Sequence, residues 1–425
     1  MNLVKTSLLN GIAVVIKLVT ALSLNKLLAI YVGPAGYAII GQFQNAIGMI
    51  TTFASAGINT GVTKYTAEYF DNNERQYTVW RTAVVIVAAG SLLAALIIAL
   101  FHKSLAVLFL KDEVYGSIFL WFAATLSLLV FNALLLAIMN GKKDIRRYVT
   151  VNITGSLVSL VVTGILARFW GLYGALVALT INQSIVFIVT LAICSKSEWF
   201  RLRNLIGSYD HAVARNLGRF VLMALTTAAV GPTSQIIVRN HIATTFGWST
   251  AGHWQAVTKI SEMYLMLVTS SLSIYYLPRL SEIRDNRELK QEIIKGYKLI
   301  LPVAVLGAGT IYLLRDWIVV TLFTADFAPM KEMFAWQLAG DVAKIGSWLL
   351  AYVMLGRAMT RAFIVTEVFF TASWVGLVFL LTDMFAVQGV FMAYCINYLF
   401  YWIVVAWLLY KYTIAIQPQL SVESK

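Results

Sequence analysis

Runs of roughly 20 mostly apolar residues, the length of a membrane-crossing helix, recur from near the start of this chain to near its end. The stretches between them are too short to fold as a water-soluble domain. A bilayer offers the backbone no water to bond, so a chain inside it must be helical or form a closed barrel; runs this long are helices. Bounded by charges, Gly or Pro, they place twelve helices near 7–31, 37–63, 82–101, 114–140, 149–168, 173–194, 219–238, 250–278, 299–314, 333–355, 363–381 and 387–410. Composition agrees: 60% of the 425 residues are hydrophobic and 12% charged, against about a quarter charged in a soluble domain. The predicted fold class is an all-α integral membrane protein with about twelve transmembrane helices.

The basic residues orient it. Alternate loops, together with both chain ends, carry 23 of the 33 Lys and Arg, among them Lys5, Arg75, Lys142, Lys143, Arg146, Arg147, Arg201, Arg203 and Lys411, and the opposite loops carry 6. Basic loops stay in the cytoplasm, so both termini are expected there. The first apolar run is interrupted by Lys17, Asn25 and Lys26, unlike the compact core of a cleaved signal peptide, and reads as an uncleaved first helix. The longest connections lie near 64–81, 195–218 and 279–298, and the second divides the helices six and six. The expected organisation is a six-helix lobe over 1–196, a cytoplasmic linker over 197–218, a second six-helix lobe over 219–411 and a cytoplasmic tail over 412–425.

A formal charge of +13 raises nucleic acid as a partner, but such proteins gather their basic residues on a water-exposed face, whereas here they are spread over short loops; no nucleic-acid partner is expected. Cys194 and Cys395 lie in apolar runs and make neither a disulfide framework nor a metal site. Trp and Tyr near predicted helix ends, such as Trp80, Trp121, Trp170, Trp317, Tyr31 and Tyr173, fit an interfacial aromatic belt.

An ionisable side chain inside a span costs at least ~2.5–3.5 kcal/mol on insertion scales and normally faces protein or a water-filled cavity. Seven fall there: Lys17, Lys26, Lys259, Glu262, Asp341, Lys344 and Glu367, with Lys64 and Arg239 at helix ends able to reach inward. Their balance is cationic, as a cavity for a phosphate-bearing substrate requires. Lys259 and Glu262 are three apart, as are Asp341 and Lys344, so each pair shares a helix face and is either a self-neutralising pair or a switch opened by ligand. Lys17 and Lys26 are nine apart, about half a turn out of phase, and cannot enter one small site; Lys26 is close enough to the outer surface to snorkel. Glu367 is either salt-bridged to Arg361 or free to couple an ion. His253 reads as interfacial beside Trp254. Gly231-Pro232 is expected to interrupt the seventh helix, as a hinge or a static kink.

No G-x-x-x-x-G-K-[ST] phosphate loop, H-E-x-x-H or G-x-S-x-G is present, so neither ATP-driven pumping nor an enzyme is expected, and no cofactor.

The opening to Gln44, the GVTKYTAEY stretch at 61–69, SIYYLPRLSE at 273–282 and FAWQLAGDVAKIG at 334–346 resemble O-antigen translocases. These belong to the polysaccharide-transport branch of the multidrug/oligosaccharidyl-lipid/polysaccharide exporter superfamily, and the chain is similar also to the enterobacterial common antigen flippases of that branch. The resemblance implies two six-helix lobes around a central cavity open to one side at a time. It also implies a flippase of the bacterial inner membrane that carries an undecaprenyl-diphosphate-linked oligosaccharide from the cytoplasmic to the periplasmic leaflet, with membrane lipids around it and polysaccharide polymerase and chain-length proteins as partners. On that reading Lys17, Lys26, Lys64, Arg239, Lys259 and Lys344 are the cationic substrate path, Glu262, Asp341 and Glu367 the ion-coupling candidates, and Gly231 and Pro232 the hinge candidates. The competing expectation is a multidrug or organic-cation antiporter, which favours acidic and aromatic residues in its cavity. A third, a membrane glycan polymerase or ligase, requires a large outer loop.

Overall fold

The computed structural model describes residues 3–272, 276, 279, 280, 283, 285–357 and 359–422. Most of the 273–282 stretch, Met1 and residues 423–425 of the expected tail lie outside them. The elements described are helical. In chain order they are α1 (Leu3–Ala54), α2 (Asn59–Glu68), α3 (Asn73–Leu100), α4 (His102–Leu110), α5 (Gly116–Gly141), α6 (Ile145–Cys194), α7 (Leu202–Leu205), α8 (His211–Phe246) and α9 (Trp248–Ser271). They continue with α10 (Asn286–Leu313), α11 (Arg315–Leu322), α12 (Phe334–Gly356), α13 (Thr360–Phe385) and α14 (Gln388–Val422). Two 3-10 turns, Glu113–Tyr115 and Ala325–Met333, precede α5 and α12.

Both α1 and α6 are kinked into two arms, at Gly33 and at Trp170-Gly171. With the arms counted separately, twelve long helical segments are present among the described residues, as the apolar runs predict. Among the described residues, eight stretches are long and apolar enough to cross a membrane, the two kinked helices among them. The chain is therefore a multi-pass membrane protein. The long helices α8 and α9 carry Arg239, His241, His253, Lys259 and Glu262.

Local chemistry explains the breaks. Gly33 has φ 67°, a conformation open to glycine at no steric cost, and Pro34 directly after it is preset to start the second arm because its missing N–H has no partner to lose there. A hydrogen bond from the Tyr37 hydroxyl to Asn25 Oδ1, 2.9 Å, ties one arm to the other. Asn72 caps α3 by accepting from Arg75 N, and Asp285 caps α10 by accepting from Glu288 N.

Three expectations are corrected. The second segment ends at Ala54 rather than at 63: Ala56 and Gly57 both take positive φ, and the chain resumes as the separate short α2, which carries Lys64. The Gly231-Pro232 pair does not interrupt its helix, since α8 runs through Pro232. The Ser234 hydroxyl bonds back to the Gly231 carbonyl oxygen at 2.7 Å, giving a backbone acceptor beside the proline a local donor. The 299–314 helix also starts earlier than expected, at Asn286, because its polar first turns continue the helix instead of forming the long connection read at 279–298.

The chain divides into two compact units, Met1–Ile236 and Ile237–Lys425, the boundary lying within α8 just beyond Pro232. In the first unit α6 packs along α1 and α5, and α3 packs on α5. Phe43 of α1 sits edge-on to Phe119 and Phe122 of α5 at 5.4 and 6.2 Å. Fully buried Trp80 of α3 donates to Thr66 Oγ1 of α2 at 2.9 Å, while the Gln76 amide donates to the Thr66 carbonyl. Cys194 is buried with its Sγ 3.7 Å from Met139 Sδ. At the end of α5, a Cβ on Gly141 would lie 2.6 Å from Thr66 Cβ and 2.7 Å from the Thr63 carbonyl oxygen of α2. Gly141→Val is therefore expected to destabilise the fold by about 1–3 kcal/mol, measured as a lower unfolding midpoint in detergent; an unchanged midpoint would mean that α2 is free to move off α5.

In the second unit α12 is central, flanked by α14, α10 and α9. Leu349, Leu350 and Met354 of α12 pack with Tyr401 and Val405 of α14 and Leu289 of α10. Between α11 and the following 3-10 turn, Lys331 pairs with Asp316 at 2.8 Å. That hydrogen bond holds the exposed Asp316 carboxyl below the usual carboxylate range, so the tie is made above that depressed pKa and lost as pH falls through it.

Candidate functional site

The charged and polar groups inside the spans form two separate assemblies, one in each unit. In the first unit, a cavity of about 280 Å³ lies between α1, α5 and both arms of α6. Its cation is Lys17, which projects from α1 with Thr20, Ala21 and Leu24. The facing wall is neutral and polar: Asn132 of α5, Asn152, Ser156 and Ser159 of the first α6 arm, and Gln183 of the second. These helices bring the side chains together because α6 folds back on itself at Gly171, setting the two arms side by side.

The wall is held by its own hydrogen bonds. Asn132 Nδ2 donates to Gln183 Oε1 at 3.0 Å, and the Thr190 hydroxyl donates to Asn132 Oδ1 at 2.7 Å. Asn182 Nδ2 reaches Ser159 Oγ and Thr163 Oγ1, both at 3.0 Å. Amides fixed this way present donors and acceptors at set positions, which suits a ligand rich in hydroxyl groups. Lys26, on the same α1 arm, is not among the lining residues. Lys64 lies elsewhere, exposed on α2 with its Nζ 5.1 Å from the Tyr65 ring centre. Lys17, Lys26 and Lys64 therefore do not share one site.

In the second unit Arg239, Lys259, Glu262, Asp341, Lys344 and Glu367 come into one electrostatic neighbourhood. Asp341, on α12, is fully buried. Its Oδ1 accepts from Ser261 Oγ at 2.7 Å, Tyr394 OH at 3.0 Å and Gln337 Nε2 at 3.2 Å, while Oδ2 has no hydrogen-bond partner. Lys344, one turn further along α12, makes no ion pair with it. Its ammonium instead lies 5.0, 5.5 and 4.8 Å from the ring centres of Trp348, Tyr394 and Tyr398. Asp341, Glu262 and Glu367 are the carboxylates close enough to act on it.

The two i,i+3 pairs thus resolve differently. Lys259 and Glu262 are bonded to each other at 3.0 Å, both partly exposed, whereas Asp341 and Lys344 each satisfy themselves with other partners. Glu367 is not bridged to Arg361; Lys344 is the cation whose field reaches it. Arg239 of α8 is buried, its guanidinium 5.2 Å from the Trp254 ring and donating to Gln255 Oε1. His253 is buried, with Nε2 2.8 Å from the Asp326 carbonyl oxygen. With three cations against three carboxylates, this cluster is balanced, and the cationic excess read from the sequence resides in the first unit.

Sequence reasoning that counted only ionisable residues passed over Asn132, Asn152, Asn182, Gln183 and Ser159. The signal was present, since four carboxamides inside the apolar runs of two helices are costly unless bonded. It also passed over Tyr394 and Tyr398, although four-residue spacing puts them on one face of α14.

Known folds and sequences place this arrangement. The chain superposes on the inward-facing conformation of a multidrug resistance MATE family transporter of the MOP superfamily, with a TM-score of 0.78 and 15% identity over 95% of this chain and 96% of that one. The outward-facing conformation of such a transporter gives 0.70 and 16%, covering 97% and 96%. At that identity the likeness defines the fold alone: an all-α multi-pass membrane protein folded as those transporters are. In sequence, residues 3–284 match the profile described as polysaccharide biosynthesis protein. The lipid III flippases of Escherichia coli (strain K12) and Shigella flexneri are each 33% identical over 368 residues, 87% of this chain and 88% of theirs. The chain belongs to the polysaccharide biosynthesis protein family.

Proposed function

We propose that this protein is a flippase for lipid-linked oligosaccharides, and not an enzyme: it moves an undecaprenyl-diphosphate-linked oligosaccharide, an O-antigen repeat unit or a related glycan, from the cytoplasmic to the periplasmic leaflet of a bacterial inner membrane by alternating access. The observation that carries the reading is the Lys17 cavity. An ammonium set among fixed amides and hydroxyls matches a diphosphate joined to a sugar, the ammonium bonding phosphate oxygens and the neutral wall bonding sugar hydroxyls. At about 280 Å³ the cavity falls at the small end of ligand pockets, roughly 300–1,000 Å³, so it takes the diphosphate and the first sugar while the rest of the glycan and the prenyl tail stay outside.

The two relatives, both lipid III flippases, support this substrate class. The second unit supplies the coupling groups in this proposal: Asp341, whose Oδ2 is not engaged by any protein donor, with Glu262 and Glu367 around it. Gly231 and Pro232 are the proposed flexing point of α8. Both termini are placed in the cytoplasm by the bias of basic loops, and polymerase and chain-length proteins are the partners that the family likeness implies. One observation favours an organic-cation antiporter, namely the aromatic and acidic character of the second unit, but Lys344 occupies that aromatic region with a cation of the chain's own.

The test is translocation of a defined undecaprenyl-diphosphate oligosaccharide in proteoliposomes containing only this protein, with and without an imposed pH gradient. Movement that responds to the gradient is the expected result. Absence of movement for every glycan tested, alongside gradient-driven movement of an organic cation, would replace the flippase reading with the antiporter.

A further inference from the structure

The environment of Lys344 is that of a ligand, not of a structural ion-pair partner. Its Nζ stands 4.8–5.5 Å from three ring centres contributed by two helices, Trp348 from α12 and Tyr394 and Tyr398 from α14. Three aromatic faces around one cation form the arrangement by which proteins bind alkylammonium ligands, the ring quadrupoles supplying the attraction. The neighbouring carboxylates Asp341, Glu262 and Glu367 add a negative field. None is within ion-pair distance of Lys344, whereas Lys259 and Glu262 in the same cluster do pair directly.

The box is also built to hold its shape. Tyr394 is fixed by donating to Asp341 Oδ1 at 3.0 Å, and Tyr398 packs against Tyr394 and Tyr401, with ring centres 4.9 and 6.3 Å away. Both tyrosine walls therefore have supports besides the lysine. Lys344 itself is half-buried.

We propose that Lys344 is a tethered occupant of an alkylammonium-binding box and acts as a specificity-determining residue: its own ammonium fills the site and thereby excludes small organic cations. Removing the side chain beyond Cβ takes away four heavy atoms, space for a methylated ammonium, and leaves the aromatic walls and carboxylates in place. The inference does not rest on the flippase reading, since it concerns what the second unit binds and not what the first unit carries.

The test is calorimetric titration of the purified full-length protein with tetramethylammonium chloride against a matched sodium chloride control. Lys344→Ala is expected to bind the cation saturably and at least roughly tenfold more tightly than the unaltered chain, and Lys344→Ala combined with Tyr398→Ala to lose most of that gain. Binding by Lys344→Ala no tighter than that of the unaltered chain, or equal binding by the double variant, would overturn the proposal. A second measurement needs no stable alanine variant. In protein labelled with 13C-lysine, the Lys344 ε-methylene resonance, assigned by its loss in Lys344→Arg, is expected upfield of the other lysines under the ring currents of the box and closer to them in Tyr398→Ala. A Lys344 resonance among the other lysines in the unaltered chain would also overturn it.

Discussion

Lys17→Glu is expected to abolish translocation of the lipid-linked oligosaccharide while the protein still reaches the membrane at its normal level. Among the described residues, Lys17 is the one ionisable residue lining the first-unit cavity, and a glutamate there turns attraction for a diphosphate into repulsion. Loss of a charge-assisted hydrogen bond costs about 1.5–3 kcal/mol, so Lys17→Ala is expected to slow translocation by roughly 10- to 100-fold, with glutamate beyond that range and Lys17→Arg least affected because it keeps the charge. The side chain projects into a cavity and is not packed in a core, so folding survives each change. Initial rates in proteoliposomes at matched protein content measure the series. Full-rate movement by Lys17→Ala would show that the diphosphate is held elsewhere.

The second large effect lies at Asp341, where two substitutions separate folding from coupling. In Asp341→Ala, Ser261, Gln337 and Tyr394 lose the acceptor they share, and buried donors left without one cost about 1–3 kcal/mol each. Because the three act as one network the losses do not add, and about 3 kcal/mol of destabilisation is expected, read as a lowered unfolding midpoint. Asp341→Asn keeps an oxygen at Oδ1 for the same donors and is expected to fold near normally. It removes the ionisable group, so translocation by this variant should no longer respond to an imposed pH gradient. An Asp341→Asn protein that still answers the gradient would move the coupling role to Glu262 or Glu367.

Fold and site were legible to different depths. The helix count came through because a bilayer allows a long apolar run to be little else, and the break at Gly33-Pro34 because glycine and proline there act by mechanisms visible in the letters themselves. The end of the second segment was hidden, since Ala56 is a good helix former whose positive φ its propensity does not announce. Pro232 misled in the opposite direction: read alone it breaks a helix, but in α8 the helix carries on through it.

Within the site, the Lys259–Glu262 pair was readable because both partners lie on one turn. The partners of Asp341 and Lys344 were not, because Ser261, Tyr394 and Tyr398 come from other helices, 53 residues away along the chain in the case of Tyr394 and 80 in that of Ser261. The same distance hid the Asn132–Gln183 and Asn132–Thr190 bonds. A charge count recognises residues that are costly alone; it does not see neutral polar residues that become affordable to the bilayer only through one another.

Both thiols of the chain are sealed inside it. Cys194, the last residue of α6, is fully buried against Met139 and Cys395 is 4% exposed, and the sequence has no other cysteine. A membrane-impermeant maleimide added from either side therefore meets no native target. A single cysteine introduced at Lys103 or Arg146 becomes a reporter of which face of the membrane its loop occupies, in an otherwise unaltered protein: the molecule is already silent for topology mapping.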